Sequence, residues 1–183
     1  MLTLDEKTNC YTEGGINFPR VSTVIQEAGL VDTTWFTEFA ADRGTYVHQA
    51  CALWDQDNLD EEQLDPQIKP YLEAYKSFRS KVSVPWLSIE ETKVDRVLGY
   101  AGTPDRVAKD LLVDLKTGSP LPFHGAQLAA YAMLSFPTVA AVKRFGLYLS
   151  NDGTYRYVPY KDRADYDVWR AALTIYHAKR RLK

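Results

Sequence analysis

The order of periodic segments predicts an α/β domain: helices first, then three strands, a helix, two strands and a closing helix. Three observations carry this. Val47, Ala50, Cys51 and Trp54 fall at i, i+3, i+4 and i+7, the stripe of a buried helix face. Asn151-Asp152-Gly153 separates two alternating segments, Lys143 to Ser150 and Thr154 to Pro159, as a hairpin turn does. Between these lies GTPDRVAKDLLVDLK, Gly102 to Lys116, which reads as two short strands around the polar break Lys109-Asp110.

Taken in order, residues 1–17 are polar and contain Gly14-Gly15, so a loosely ordered leader or a small hairpin is expected. A short helix from Val21 to Ala28 is stopped by Gly29. Asp32 or Thr33 is the expected cap of a longer helical stretch, firmest from Asp42 to Trp54. The acidic run from Asp55 to Asp65 lacks the glycine and closing glutamate of a calcium loop and reads as surface. Asp65-Pro66 opens the next helix, to about Val82, with Leu72, Tyr75 and Phe78 inward. Trp86 to Val97 is the first strand, in which Glu90 and Glu91 point to opposite faces. After the central hairpin come a helix from Phe123 to Ser135, the two strands named above, and a last helix capped by Asp162. That helix buries Val168, Trp169, Ala172, Leu173 and Tyr176. The cations that end it, Lys179 to Lys183, complement its dipole.

The central hairpin has chemical content. With a two-residue loop, Ala108 pairs with Leu111, Val107 with Leu112, Arg106 with Val113, and Asp105 with Asp114. Two carboxylates directly opposite on one face destabilise a sheet unless a cation lies between them. Alternation places Lys116 on the same face and turns Leu115 into the core.

Composition bounds the rest. The chain has 183 residues, 45% of them hydrophobic and 25% charged, which suits one domain over 1–183 with a substantial core. No apolar run approaches the about 18 residues of a membrane span, and the N-terminus has no signal-peptide pattern, so no membrane partner is expected. Cys10 and Cys51 form no paired motif, which fits a reducing, cytoplasmic setting. The net charge of −2 lacks the basic excess usual for nucleic-acid binders.

Pro104-Asp105 followed by Asp114-Leu115-Lys116 resembles the signature of the PD-(D/E)XK nuclease superfamily. Arg43-Gly44-Thr45-Tyr46-Val47-His48, the Gln127 to Tyr131 helix and the opening Phe18 to Ile25 are similar to the RecB-like and phage-exonuclease-like branch. The resemblance implies a restriction-endonuclease-like core, a mixed central sheet of about four or five strands flanked by helices. It implies a DNA nuclease of phage, recombination or repair type, with exonuclease first. A structure-specific or restriction-like endonuclease and a non-catalytic nucleic-acid-binding module on the same fold remain as alternatives. Its implied ligands for Mg²⁺ or Mn²⁺ are Asp105, Asp114, His48 and the Leu115 carbonyl. Its catalytic set is Asp105, Asp114 and Lys116, with Glu91 as the acidic residue of the first strand. Beside a metal the pKa of Lys116 is expected to fall. Gln127, Tyr131, Arg43 and Thr117 are the implied contacts to DNA, single- or double-stranded. A homo-oligomer or a recombination partner protein also follows from the resemblance. The iron–sulfur cluster of some relatives is excluded, because two cysteines cannot provide four ligands.

Overall fold

The structure is a computed structural model, and it describes residues 2–5, 10–32 and 37–182. Strands β1 (Thr3–Asp5), β2 (Cys10–Glu13) and β3 (Ile16–Pro19) form a three-stranded antiparallel sheet. The N-terminal stretch is therefore a hairpin, turned at Gly14-Gly15 with positive φ, plus a further strand. It is anchored by Tyr11 and Phe18, which pack on Ala101, and by a 2.7 Å hydrogen bond between the Tyr11 and Thr103 hydroxyls.

Helix α1 (Val21–Glu27) stops before Gly29, whose φ of 79° suits only a residue without Cβ. Helix α2 (Glu38–Asp55) is capped by Thr37, whose side chain accepts the Ala40 N–H at 3.2 Å. Asp32 lies upstream of that helix, and Thr33 falls outside the described residues. Helix α3 (Lys69–Lys81) starts later than Pro66. Asp65 accepts the Gln67 N–H on its carboxylate and the Ile68 and Lys69 N–H groups on its carbonyl, which closes a separate turn first.

The strand expected from Trp86 to Val97 is two pieces, β4 (Ser88–Ile89) and β5 (Lys93–Asp95). Glu90 breaks it with a φ of 49°, a left-handed backbone that non-glycine residues seldom adopt. Strand β5 pairs with β6 (Tyr100–Gly102) as a separate hairpin. Strands β7 (Arg106–Val107) and β8 (Leu111–Lys116) have the register read from the sequence: Arg106 faces Val113 and Val107 faces Leu112. Helix α4 (His124–Ser135) connects β8 to β9 (Lys143–Leu149), which lies parallel to it. Strand β10 (Tyr155–Pro159) and helix α5 (Ala164–Arg181) complete the chain.

The main sheet runs β10-β9-β8-β7-β4 and is mixed, with helices on both faces. Val107 and Leu112 belong to one core with α1, α4 and α5; Val113, Leu115 and Leu147 belong to a second with α2 and α3. Val168 lies on the solvent side of α5, at 42% exposure, and Tyr166 takes its expected place in the core. Near the end of α5, Lys179 donates to the Glu27 carbonyl and Arg180 pairs with the Glu27 carboxylate, pinning that helix to α1. No helix among the described residues is long and apolar enough to cross a membrane.

Gly146 has no room for a side chain. A Cβ there would lie 2.7 Å from the Tyr148 ring, whose hydroxyl is fixed by His124 at 2.7 Å and Tyr160 at 2.5 Å. Gly146→Ala is expected to cost about 1–3 kcal/mol in urea unfolding. Gly118→Ala, where a Cβ meets nothing within 4 Å, is expected to cost far less.

Candidate metal centre

Strand alternation puts Asp105, Asp114 and Lys116 on the α4 face of the sheet, the face of Val107 and Leu112. All three line an open cavity of about 950 Å³. Helix α2 brings His48 to the same cavity, one turn after Gly44, where a Cβ would touch only the Thr117 hydroxyl. The break in the first strand brings Glu90.

Leu115 ties the pieces together through its backbone. Its N–H donates to Asp105 Oδ2 at 2.6 Å, and its carbonyl lies 3.0 Å from His48 Nε2. A carbonyl only accepts, so Nε2 carries a proton and Nδ1 is the atom turned to the acids. Nδ1 lies 3.4 Å from Asp105 Oδ1 and 3.5 Å from Glu90 Oε1. One donor atom each from His48, Glu90 and Asp105 fall within 4.8 Å of one another, the spacing of a cation site. The carboxylates suit Mg²⁺ or Mn²⁺ and the imidazole tilts the preference towards Mn²⁺, so the residues present fit such an ion.

The two facing aspartates have different side-chain partners. Asp105 is beside His48, and Asp114 is ion-paired with Lys116. Glu90, not Glu91, reaches the site. The left-handed turn at Glu90 breaks the strand there, and Glu91, the residue chosen on the resemblance, points to solvent, paired with Lys93 at 2.7 Å. The Leu115 carbonyl, expected as a ligand, accepts from His48 and orients it. Thr117, Gln127 and Tyr131 line the cavity, with the Gln127 amide 3.4 Å from the Tyr131 hydroxyl. Arg43 sits apart from the cavity lining; it donates to the Thr117 carbonyl at 3.4 Å and lies over the Phe39 and Tyr71 rings. Sequence reading missed Arg20, which lines the cavity from the start of α1, and Arg106, which holds Glu90 at 3.0 Å.

The electrostatics follow from burial and pairing. Burial opposes charge on His48, yet Asp105 and Glu90 raise its pKa to about 10. Burial also opposes charge on Lys116, but in the metal-free protein Asp114 and Asp105 raise its pKa. Burial lifts Asp114 to about 6 despite Lys116. Asp105 resists burial and stays below the ordinary carboxylate value, through His48, then Lys116 and the Leu115 N–H. Burial and the Asp105 charge raise Glu90.

Two solved structures share this architecture. A protein of Eubacterium rectale named as an exonuclease candidate aligns with a TM-score of 0.57 at 12% identity, over 91% of this chain and 75% of that one. The alkaline exonuclease of Laribacter hongkongensis aligns with a TM-score of 0.51 at 12% identity, over 88% of this chain and 87% of that one. The chain has the fold of these two proteins. No family model and no curated protein matches its sequence. The His48, Glu90 and Asp105 group lies beside central strand β8, where Leu115 touches two of the three.

The two aspartates are expected to affect stability in opposite directions in chelator. Asp114 keeps a proton in the folded protein that the unfolded chain releases from about pH 4, so its contribution to stability is lost as pH rises through about 6. Asp114→Asn removes that loss and is expected to stabilise the metal-free protein above pH 6 by about 1–3 kcal/mol. Asp105 is favoured as a carboxylate, so Asp105→Asn is expected to cost about 1–3 kcal/mol at the same pH. Urea unfolding across pH 4–8 checks both signs.

Proposed function

We propose that the chain is a divalent-metal-dependent deoxyribonuclease that hydrolyses phosphodiester bonds, an exonuclease of phage or recombination and repair type, working in the cytoplasm. The observation that carries this reading is the placement of a three-residue ligand group beside a lysine in one open cavity on an exonuclease-like fold. His48, Glu90 and Asp105 would hold Mg²⁺ or Mn²⁺, with Asp114 completing the acidic set. When bound, the ion polarises the scissile phosphate and lowers the pKa of a coordinated water.

The chain's own residues do the rest. The Leu115 carbonyl fixes the His48 tautomer, so that Nδ1 faces the donor group. Asp114 holds the Lys116 ammonium in the cavity. From there Lys116 orients the attacking water and stabilises charge that develops on the phosphate oxygens. Gln127 and Tyr131 form the wall behind it, and in this reading they contact the DNA strand. Thr117 continues the same wall. Arg43, which donates to the Thr117 carbonyl, supports it from outside the cavity. DNA is the partner on this reading, and a second copy of the chain or a recombination protein would present it.

The near-neutral charge fits a local grip at the cavity better than a broad basic groove. A bound cation would supply positive charge where three carboxylates now lie.

End-labelled linear DNA and closed circular DNA, incubated with Mn²⁺ and with chelator, test the proposal. The linear substrate is expected to be degraded in Mn²⁺ alone and the circle spared. Cleavage of the circle would make the protein an endonuclease, and binding without cleavage of either would make it a non-catalytic module. Lys116→Ala is expected to keep Mn²⁺ and DNA binding while the rate falls by about 100-fold or more, because it removes charge stabilisation and not a ligand. Wild-type rates in that variant would remove Lys116 from the chemistry.

A further inference from the structure

The geometry points to Arg106 as the residue that positions Glu90 for the metal centre, an inference that rests on the reading of that centre given above. Arg106 is fully buried, at 0% exposure, on the face of β7 opposite Asp105. A buried guanidinium persists only where it is paired on several sides. Its Nε donates to Asp55 Oδ2 at 2.7 Å and contacts the Tyr75 hydroxyl at 3.1 Å; that hydroxyl itself donates to Asp55 at 2.5 Å. Its Nη1 donates to Glu90 Oε1 at 3.0 Å and to the Asp105 carbonyl at 2.8 Å.

Two features make this more than a buried ion pair. First, Glu90 Oε1 is also the oxygen 3.5 Å from His48 Nδ1, so the oxygen that Arg106 holds is the one turned to the ligand group. Second, the Asp105 carbonyl that receives Nη1 also receives the Glu90 N–H, at 2.9 Å. Backbone and side chain of Glu90 are thus fixed to the same short segment, Asp105-Arg106. That double attachment holds a non-glycine residue at a φ of 49°.

The remaining nitrogen, Nη2, is buried without a hydrogen-bond partner. The fork is therefore oriented by Asp55 on one side and Glu90 on the other, and not by satisfaction of its own donors. The Glu90 side chain is 29% exposed. Without Arg106 it has a route to solvent, away from His48. A lysine at this place has one compact ammonium and cannot hold Asp55 and Glu90 together. Arg106 is a positioning residue: it acts on the cation only through Glu90.

The test uses Arg106→Met combined with Asp55→Asn, so that removal of the guanidinium leaves no uncompensated buried carboxylate. Asp55→Asn alone is the control, because it keeps the Arg106–Glu90 contact. Mn²⁺ affinity is read by titration calorimetry in four proteins: the control and the double variant, each with Glu90 and with Glu90→Gln. The double variant is expected to bind Mn²⁺ about 10–100-fold more weakly than the control. In the Glu90→Gln background the same change is expected to have no further effect, the signature of two residues acting as one unit. Arg106→Lys is expected not to restore affinity. Equal losses with and without Glu90 would overturn the inference, since a purely structural role for Arg106 acts regardless of residue 90. A crystal structure of the metal-free double variant gives an independent readout: Glu90 should have left His48 Nδ1, and a carboxylate still in place would also overturn it. If the wild-type protein binds no Mn²⁺, the reading of the metal centre fails, while the metal-free structure still decides what Arg106 does.

Discussion

The structure depends on keeping three carboxylates close together in a largely buried place. Asp105 and Asp114 are 5% and 2% exposed, and Glu90 lies beside them. Like charges at that distance repel strongly where water is scarce. Each carboxylate accordingly has a basic group beside it: His48 at Asp105, Lys116 at Asp114, and Arg106 at Glu90. Those groups come from different layers: His48 from α2, Arg106 from the far face of β7, Lys116 from the end of β8. The packing of α2 and α3 against the sheet and the charge balance of the cavity are therefore one problem.

The balance is unequal, and the inequality matters for chemistry. Asp105 is stabilised as a carboxylate, whereas burial leaves Asp114 harder to ionise even beside Lys116. On the proposed function the first residue would be the ready ligand, and the second would ease when positive charge arrives. The acids that face His48 Nδ1 favour a proton there, so on the proposed function a bound cation would displace that proton.

Much of this was legible in the sequence because it follows from short-range rules. The Lys109-Asp110 loop and strict alternation fix the register of β7 and β8, and with it the shared face of Asp105, Asp114 and Lys116. The helix carrying His48 follows from its apolar stripe. Glu90 was not legible, because alternation assumes an unbroken strand. The deciding fact is a left-handed backbone angle, which a pair of adjacent glutamates does not announce. Arg106 was hidden for another reason: its partners are Asp55 and Tyr75, 51 and 31 residues away, and no local pattern marks such a contact. The order of the N-terminal stretch was hidden likewise, since Tyr11 and Phe18 pack against Ala101 of β6 and Tyr11 bonds Thr103, all far along the chain.

On the proposed function, a divalent cation replaces a proton in a site already neutralised by its own basic groups. Calorimetric titration of Mn²⁺ near neutral pH, in two buffers of different ionisation enthalpy, measures the protons released on binding. About one proton is expected to be released per ion bound, with a weaker affinity at lower pH. Binding with no proton release, or no binding at all, would contradict it.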